Sequence, residues 1–387
     1  MSASADRFFQ RLWYDRQRRW LSWLMLPLAG VFRLIVALRR GAYRSGLLRS
    51  HRVTRPVVVI GNLSVGGTGK TPFTIWLAQA LQSRGTRVGI VLRGYGGRSA
   101  HWPREVSDGS AWEEVGDEAV LLARRTGAIV VAGPDRVAAA RRAIELGAQI
   151  VLSDDGLQHY RLARDLEIAV IDARRGLGNG RLLPAGPLRE PRRRLSRVNL
   201  IVLTHRAGEP PGERPGERQL PPRIFPPGIS SKTSPEVSSG VPGKPDSPGT
   251  PREGRRAGGE PQTVRTIHAG ARLVDAVCIA TGERRALAAF RGAPVHALAG
   301  IGHPQAFFRA LAACRLDVLP HALPDHAPIE LADIDFTDGH PVLMTEKDAV
   351  KCTSIVDLRH WAVRMDIDLE EEDARIVSAM LDRVMDS

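Results

Sequence analysis

The chain is 387 residues long, enough for two domains with cores of their own. Its formal net charge is +13, yet residues 1–55 hold twelve arginines and no lysine against Asp6 and Asp15, so they carry +10 and leave only +3 for the rest. That near-balance excludes a general nucleic-acid coat. Three distant cysteines, Cys278, Cys314 and Cys352, exclude a disulfide scaffold and read as small core residues in a reducing compartment.

Residues 1–55 combine the arginine excess with Phe8, Phe9, Trp13, Trp20 and Trp23. Apolar residues recur at 9, 12, 13, 20, 23, 24, 27, 28, 31, 34, 35 and 38, close to helical spacing, while Arg11, Arg18, Arg19 and Arg39 fall mostly off that stripe. Such an amphipathic helix is expected to lie in the interface of an anionic membrane. The apolar run Trp20–Phe32, ended by Arg33, is short of the roughly 20 residues that a spanning helix needs. A helix packed on the body is a second reading and a spanning or cleaved segment a third, though no convincing small-residue cleavage site follows.

The run Val57–Ile60 reads as a strand, and Ile75–Leu81 as part of a helix. Between them stands Ser64, Val65, Gly66, Gly67, Thr68, Gly69, Lys70, Thr71 and Pro72. Strand, glycine-rich turn and helix in that order form a phosphate cradle, in which backbone N–H groups meet anionic oxygens at a positive helix end. The cradle is expected to hold ATP, with Lys70 on the β/γ-phosphates and the Thr71 hydroxyl on Mg²⁺. Ser64 departs from the general pattern, which places glycine six residues before the lysine. Only five of 55 basic residues are lysines, and Lys70, Lys347 and Lys351 stand where a compact, rotatable ammonium is wanted rather than a planar fork.

Beyond the cradle, strand-like and helical runs alternate: Val88–Leu92, Val120–Arg125, Ala128–Ala132, Val137–Leu146, Ile150–Leu152, Ile168–Ile171 and Leu200–Leu203. A mostly parallel sheet covered by helices is expected, with ligands at strand carboxyl ends. Residues 206–262 hold 13 of the 27 prolines and ten glycines, the composition of a disordered insertion. Strand-like Val277–Ala280, Val295–Ala299 and Pro341–Met344 then alternate with helical Arg284–Phe290 and Pro304–Cys314, before strand-like Trp361–Ile367 and helical Glu371–Met385. The expected units are therefore 1–55, a helical interface segment; 56–205, the cradle domain; 206–262, the insertion; and 263–387, a smaller α/β unit.

The strand at Ile150 ends in Asp154 and Asp155, placed where a cradle protein holds its metal; the sequence leaves open which one faces it. Asp117 opens a helical pattern and by itself fits a helix cap as well as a base. Arg93 and Arg98 flank a glycine turn suited to anions, and Asn179 and Arg189 belong to a turn-rich segment that suits an acceptor pocket. Asp325 and His326 form an acid–imidazole dipeptide that fits a turn equally well, Lys347 is a possible anion contact, and His303 reads as a surface or capping residue.

Read together and in order, S-V-G-G-T-G-K-T-P, L-R-G-Y-G-G, V-G-D-E, D-D-G-L-Q-H, G-N-G-R-L-L-P-A-G-P-L-R-E-P, P-D-H and T-E-K-D-A-V-K resemble the tetraacyldisaccharide 4′-kinases of lipid A biosynthesis. The resemblance covers residues from about 8 to 385 apart from the 206–262 insertion, and Ser64 fits that family's own cradle. It implies a P-loop kinase fold of two α/β domains at the cytoplasmic face of a bacterial inner membrane. It also implies transfer of the ATP γ-phosphoryl group to the 4′-hydroxyl of an acylated glucosamine disaccharide 1-phosphate. The family's roles would fall on Lys70 and Thr71 for phosphate and metal, Asp154 and Asp155 for metal, and Asp117 paired with His326 for catalysis. The partners implied are a membrane-embedded glycolipid and an anionic membrane surface, with no nucleic acid and no obligate protein partner. A membrane-recruited P-loop ATPase switch is the competing class, and such proteins often carry a second lysine where this chain has Val65. A P-loop enzyme for a soluble metabolite is a third reading, which leaves the N-terminal stripe without a role.

Overall fold

Runs of five apolar residues bounded by turns suit strands buried on both faces, the condition of a parallel sheet sandwiched between helices. The structure, a computed structural model, describes Phe9 and residues 12–14, 20–207, 264–325, 327–352 and 356–386. Its strands are β1 (Val57–Gly61), β2 (Val88–Leu92), β3 (Arg104–Val106), β4 (Ile129–Ala132), β5 (Ile150–Asp154), β6 (Leu166–Asp172), β7 (Leu200–His205), β8 (Arg265–Cys278), β9 (Arg284–Ala286), β10 (Pro294–Ala299), β11 (Asp317–Ala322), β12 (Val342–Thr345) and β13 (His360–Leu369). All positions of β1, β2 and β5 are buried.

These strands form one sheet in the order β11-β10-β12-β13-β8-β7-β6-β1-β5-β2-β4-β3, with β9 beside β8. Pairing is parallel throughout except at β3–β4, β8–β13 and β8–β9. The first half of β8 pairs with β7, and its later residues pair along β13. A single 14-residue strand therefore carries the sheet from one half of the chain into the other. The helix Glu371–Met385 also crosses back, burying Val377 and Leu381 in the core beneath the helices Lys70–Gln82 and Asp117–Thr126.

Alternation along β1 divides the core. Val58 and Ile60 face those three helices, whereas Val57 and Val59 face the helix Arg136–Glu145 and the loops around Leu177 and Leu188. Phe73, from the first turn after the cradle, is wholly buried on the first face.

Some elements differ from the sequence expectation. Arg284–Phe290, expected helical, is the short strand β9 followed by a 3-10 turn, Leu287–Phe290; burying Leu287 and Phe290 three residues apart satisfies that turn as well as a helix. The strand expected at Val277–Ala280 is only the end of β8. The unanticipated β11 contains Pro320, tolerated because this strand lies at the sheet edge. Most of the proline-rich stretch, residues 208–262, lies outside the described residues, as does His326.

The helix Leu26–Arg44 rests on the body through Ala29 and Phe32. Its outer side, with the turn before it, leaves Trp20 (64%), Leu24 (70%), Leu28 (58%) and Leu38 (64%) exposed. No helix of the described residues is long and apolar enough to cross a membrane. Phe73→Ala is expected to lower stability by about 3–5 kcal/mol, whereas Leu28→Ser should change it by less than about 0.5 kcal/mol; urea unfolding of the two variants checks the contrast.

Candidate active site

The cradle between β1 and the helix Lys70–Gln82 is shaped by Gly66 and Gly69, at φ +107° and +78°. A side chain at Gly69 would press 3.1 Å from Thr204, whose hydroxyl donates to the Thr68 carbonyl at 2.8 Å. The loop is braced from outside. The Val65 N–H donates to the Pro187 carbonyl at 2.8 Å, the Arg189 N–H donates to the Leu63 carbonyl at 2.7 Å, and Ser64 bridges Leu188 in antiparallel fashion. That extended pairing explains why the position of Ser64 needs no glycine. Among the described residues the N–H groups of Gly66, Gly67, Thr68 and Gly69 donate to no backbone carbonyl, and the buried Thr68 hydroxyl has no partner. A set of unspent donors at a helix start fits a phosphate chain. Thr71 follows, half-buried.

β1 and β5 are in parallel register with Ile60 beside Asp154, so the acids stand next to the cradle. Asp155 takes φ +49°, which turns its carboxylate toward Lys70 at 2.6 Å and Arg189 at 2.9 Å. Burial alone would raise its carboxyl, but those two cations hold it well below the usual range. Asp154 is fully buried, and burial, with Glu118 and Asp155 adding to it, pushes its carboxyl up to about 6 against the pull of Lys70. Its one oxygen takes a long hydrogen bond from the Thr74 hydroxyl, 3.4 Å. Buried Arg136 clamps the strand end by donating to the carbonyls of Gly133 and Asp154, both at 3.1 Å. His159 is depressed to about 4 by burial and by Arg136, so it is neutral at pH 7.

Asp117 is buried at the first position of the helix Asp117–Thr126, and its neighbour Glu118 is the acid whose charge reaches Asp154. Two glycine turns interlock to place it. A side chain at Gly116 would stand 2.5 Å from the Tyr95 carbonyl oxygen, and one at Gly97 would stand 2.6 Å from that of Glu114. L-R-G-Y-G-G and V-G-D-E are thus two halves of one contact. The Asp117 carboxylate accepts from the Glu118 N–H at 2.8 Å and lies 3.7 Å from the Lys351 ammonium. Lys351, its side chain fully buried, also donates to Asp348 at 3.1 Å, and Asp348 accepts from the Thr345 hydroxyl at 2.6 Å and the Gly300 N–H at 2.9 Å.

Lys347 donates to Glu118 at 3.2 Å and approaches Asp325 at 3.9 Å. Burial pulls its ammonium down, but Glu118, Asp117 and Asp325 outweigh burial and hold it above the usual lysine range. Nearby, Arg125 grips Glu346 at 2.6 Å and also meets Asp366. The second half of the chain therefore delivers Lys347, Lys351 and Asp325 to the acids of the first. His326, adjoining Asp325, lies outside the described residues.

Other sequence candidates have different surroundings. Arg93 and Arg98 are exposed on the glycine turn. Asn179 braces its own loop, donating to the Ala185 carbonyl at 2.8 Å and accepting from the Arg181 N–H at 3.1 Å. The segment around it buttresses the cradle and grips the N-terminal region. Arg181 donates to Ser22 at 2.6 Å, and Trp13 donates to the Pro184 carbonyl at 2.9 Å. His303 precedes the helix Pro304–Ala313 without capping it and instead meets the Arg175 guanidinium at 3.1 Å. Thr74, Glu118 and Arg136 were not singled out from sequence. Glu118 had a signal, its place beside Asp117; Arg136, one arginine among many, had none.

Among the described residues no group of three or more His, Cys, Asp or Glu forms a ready metal cage. Mg²⁺ seldom needs one, taking one or two carboxylates, a hydroxyl, water and substrate phosphates. The donor set of Thr71, Asp154 and Asp155 beside unspent cradle N–H groups fits that chemistry.

The sequence profile of the family described as Tetraacyldisaccharide-1-P 4′-kinase matches residues 21–385. A tetraacyldisaccharide 4′-kinase of Alkalilimnicola ehrlichii is 43% identical over 349 residues, 90% of this chain and 89% of that protein. One of Nitrosococcus oceani is 42% identical over 360 residues, 93% of this chain and 90% of its own. The crystal structure of LpxK from Aquifex aeolicus in complex with ATP superposes with a TM-score of 0.70 at 27% identity, covering 94% of this chain and 99% of that one. The chain belongs to the tetraacyldisaccharide 4′-kinase family.

Proposed function

We propose that this chain transfers the γ-phosphoryl group of ATP to the 4′-hydroxyl of an acylated glucosamine disaccharide 1-phosphate, at the cytoplasmic face of a bacterial inner membrane. The observation that carries this reading is the convergence, at the carboxyl ends of β1 and β5, of an unspent phosphate cradle and a buried carboxylate. The names of the relatives supply the acceptor, and the Aquifex complex supplies the nucleotide.

In this mechanism the cradle N–H groups and Lys70 hold the β- and γ-phosphates, with Lys70 leaving Asp155 to do so. The Asp117 carboxylate takes the proton of the 4′-hydroxyl as its oxygen attacks the γ-phosphorus, and the bond to the β-phosphate oxygen breaks to release ADP. Lys351 and the Glu118 N–H orient Asp117, and His326 would pair with it from the adjoining turn. Mg²⁺, when bound by Thr71, Asp154 and Asp155, neutralises charge developing on the phosphates. Residues 56–205 hold the nucleotide and 263–387 complete the site. The stripe of exposed residues from Trp20 to Leu38 supports docking at a membrane surface, where the acyl chains of the acceptor stay in lipid.

Incubation with radiolabelled ATP and a panel of acylated and soluble acceptors tests the reading. Label entering only the acylated disaccharide 1-phosphate supports it, and ATP hydrolysis without acceptor labelling refutes it. Asp117→Asn is expected to lower kcat about 10²–10⁴-fold with ATP binding retained, measured by single-turnover transfer and nucleotide titration. Lys70→Ala should lose phosphoryl transfer by about 10²–10³-fold or more, with the folded state retained by circular dichroism.

The carboxyl of Asp154, raised to about 6, keeps its proton below that pH, and a divalent cation must displace it. Apparent Mg²⁺ affinity should therefore be flat above pH 6 and fall up to about tenfold per pH unit below it. Metal titrations across pH should show this dependence in the native chain and not in Asp154→Asn.

A further inference from the structure

Arg40, Tyr43 and Arg44, from the last turns of the helix Leu26–Arg44, close one side of a cavity of about 430 Å³. Glu167, Arg194 and Arg197 belong to its other walls. Counting Arg164, five arginines line it against the single carboxylate of Glu167. Two of the five are committed: Arg164 to Glu167 at 3.0 Å and to the Leu162 carbonyl, Arg194 to Glu167 and to Glu190 at 3.4 Å. Arg40 reaches Glu190 only at 3.9 Å. Arg44 and Arg197 are exposed, and among the described residues neither has a carboxylate partner. The cavity thus carries positive charge that the protein does not offset.

It is separate from the nucleotide cradle. Glu167 stands at the amino end of β6, whereas Asp172 ends that strand next to Thr204 and the cradle, roughly 17 Å away along the chain. Its mouth lies at the carboxyl end of the same helix, where exposed Leu47 (82%) and Leu48 (42%) follow Arg44.

We propose that this cavity binds the phosphate of an anionic phospholipid headgroup. With Leu47 and Leu48 in the acyl boundary, Arg44 and Arg197 sit at headgroup depth. Guanidinium forks match phosphate oxygens two at a time, which a diffuse basic surface does not offer. Binding there fixes the rotation of the helix about its axis, and with it the distance of the cradle from the bilayer.

This inference rests on the membrane reading above, so the test separates the two. The full chain is sedimented with vesicles of phosphatidylcholine, with and without phosphatidylglycerol. Arg44→Gln/Arg197→Gln is compared with Arg141→Gln/Arg142→Gln, an equal charge change on the exposed side of the helix Arg136–Glu145. In parallel, with the cradle filled by a non-hydrolysable ATP analogue, glycerol 3-phosphate and inorganic phosphate are titrated calorimetrically.

The expected result is at least a roughly tenfold loss of phosphatidylglycerol-dependent binding in the first pair. The control pair should lose far less, and the heat of glycerol 3-phosphate should disappear in the first pair alone. Equal losses in the two pairs overturn the proposal. So does phosphate binding to the cavity with no difference between the pairs on vesicles, which would make it a site for the free anion. If the native chain binds neither vesicle, the membrane reading and the lipid source fall together, and the calorimetry then decides whether the cavity holds phosphate at all.

Discussion

Four carboxylates, Asp117, Glu118, Asp154 and Asp155, converge where β5 ends and the helix Asp117–Thr126 begins. Left alone, that much negative charge in a half-buried space would protonate or push the elements apart. Lys70 and Arg189 offset Asp155, Lys347 meets Glu118, and Lys351 sits between Asp117 and Asp348. Two of these cations come from the second half of the chain. The association of the halves is therefore an electrostatic requirement of the site as well as a matter of packing, and Arg125 with Glu346 and Asp366 pins the same junction. Among the described residues Asp154 alone of the four has no cation in direct contact, and burial raises its carboxyl.

One segment connects the site to the surface. Residues 178–194 lend carbonyl and N–H groups to the cradle at Pro187 and Arg189, a guanidinium to Asp155, and a second guanidinium to Ser22 and the Trp23 ring. Glu190 in the same segment accepts from Tyr160 at 2.7 Å and faces Arg194 and Arg40. The N-terminal region and the phosphate loop are thus joined through one loop-rich segment. In the proposed reaction this link matters, because the acceptor is fixed in the membrane and the nucleotide in the cradle.

The parallel half was legible because its strands are continuous apolar runs with turn residues on either side, as at Val88–Leu92 and Ile150–Leu152. The cradle was legible from its glycines and its place between strand and helix. Elements set by long-range context were not. β11 carries a proline that only an edge position excuses, β8 runs 14 residues where only Val277–Ala280 reads as a strand, and the spacing of Leu287 and Phe290 does not distinguish a 3-10 turn from a helix. At the site, residue types and order announced Asp117, Asp154 and Asp155. The partners of Asp117 and Glu118, Lys351 and Lys347, lie more than 220 residues away in sequence, beyond any local pattern. The buttressing role of 178–190 was equally hidden, since backbone hydrogen bonds leave no mark on side-chain choice.

Lysine usage unites these observations. Among the described residues the lysines are Lys70, Lys347 and Lys351, and each touches this one carboxylate group or its supports. Elsewhere the described residues use arginine, including for exposed ion pairs. A guanidinium is planar and needs room for a fork, as Arg364 has on Asp275. The space between Asp117 and Asp348 is closed on all sides and admits only a compact charge with rotatable donors. At Lys70 the demand is different: in the proposed reaction its ammonium exchanges Asp155 for a phosphate, and a single-point contact is easier to leave than a bidentate one. The composition of an arginine-rich chain thus marks, by the exceptions it keeps, where geometry excludes the usual cation.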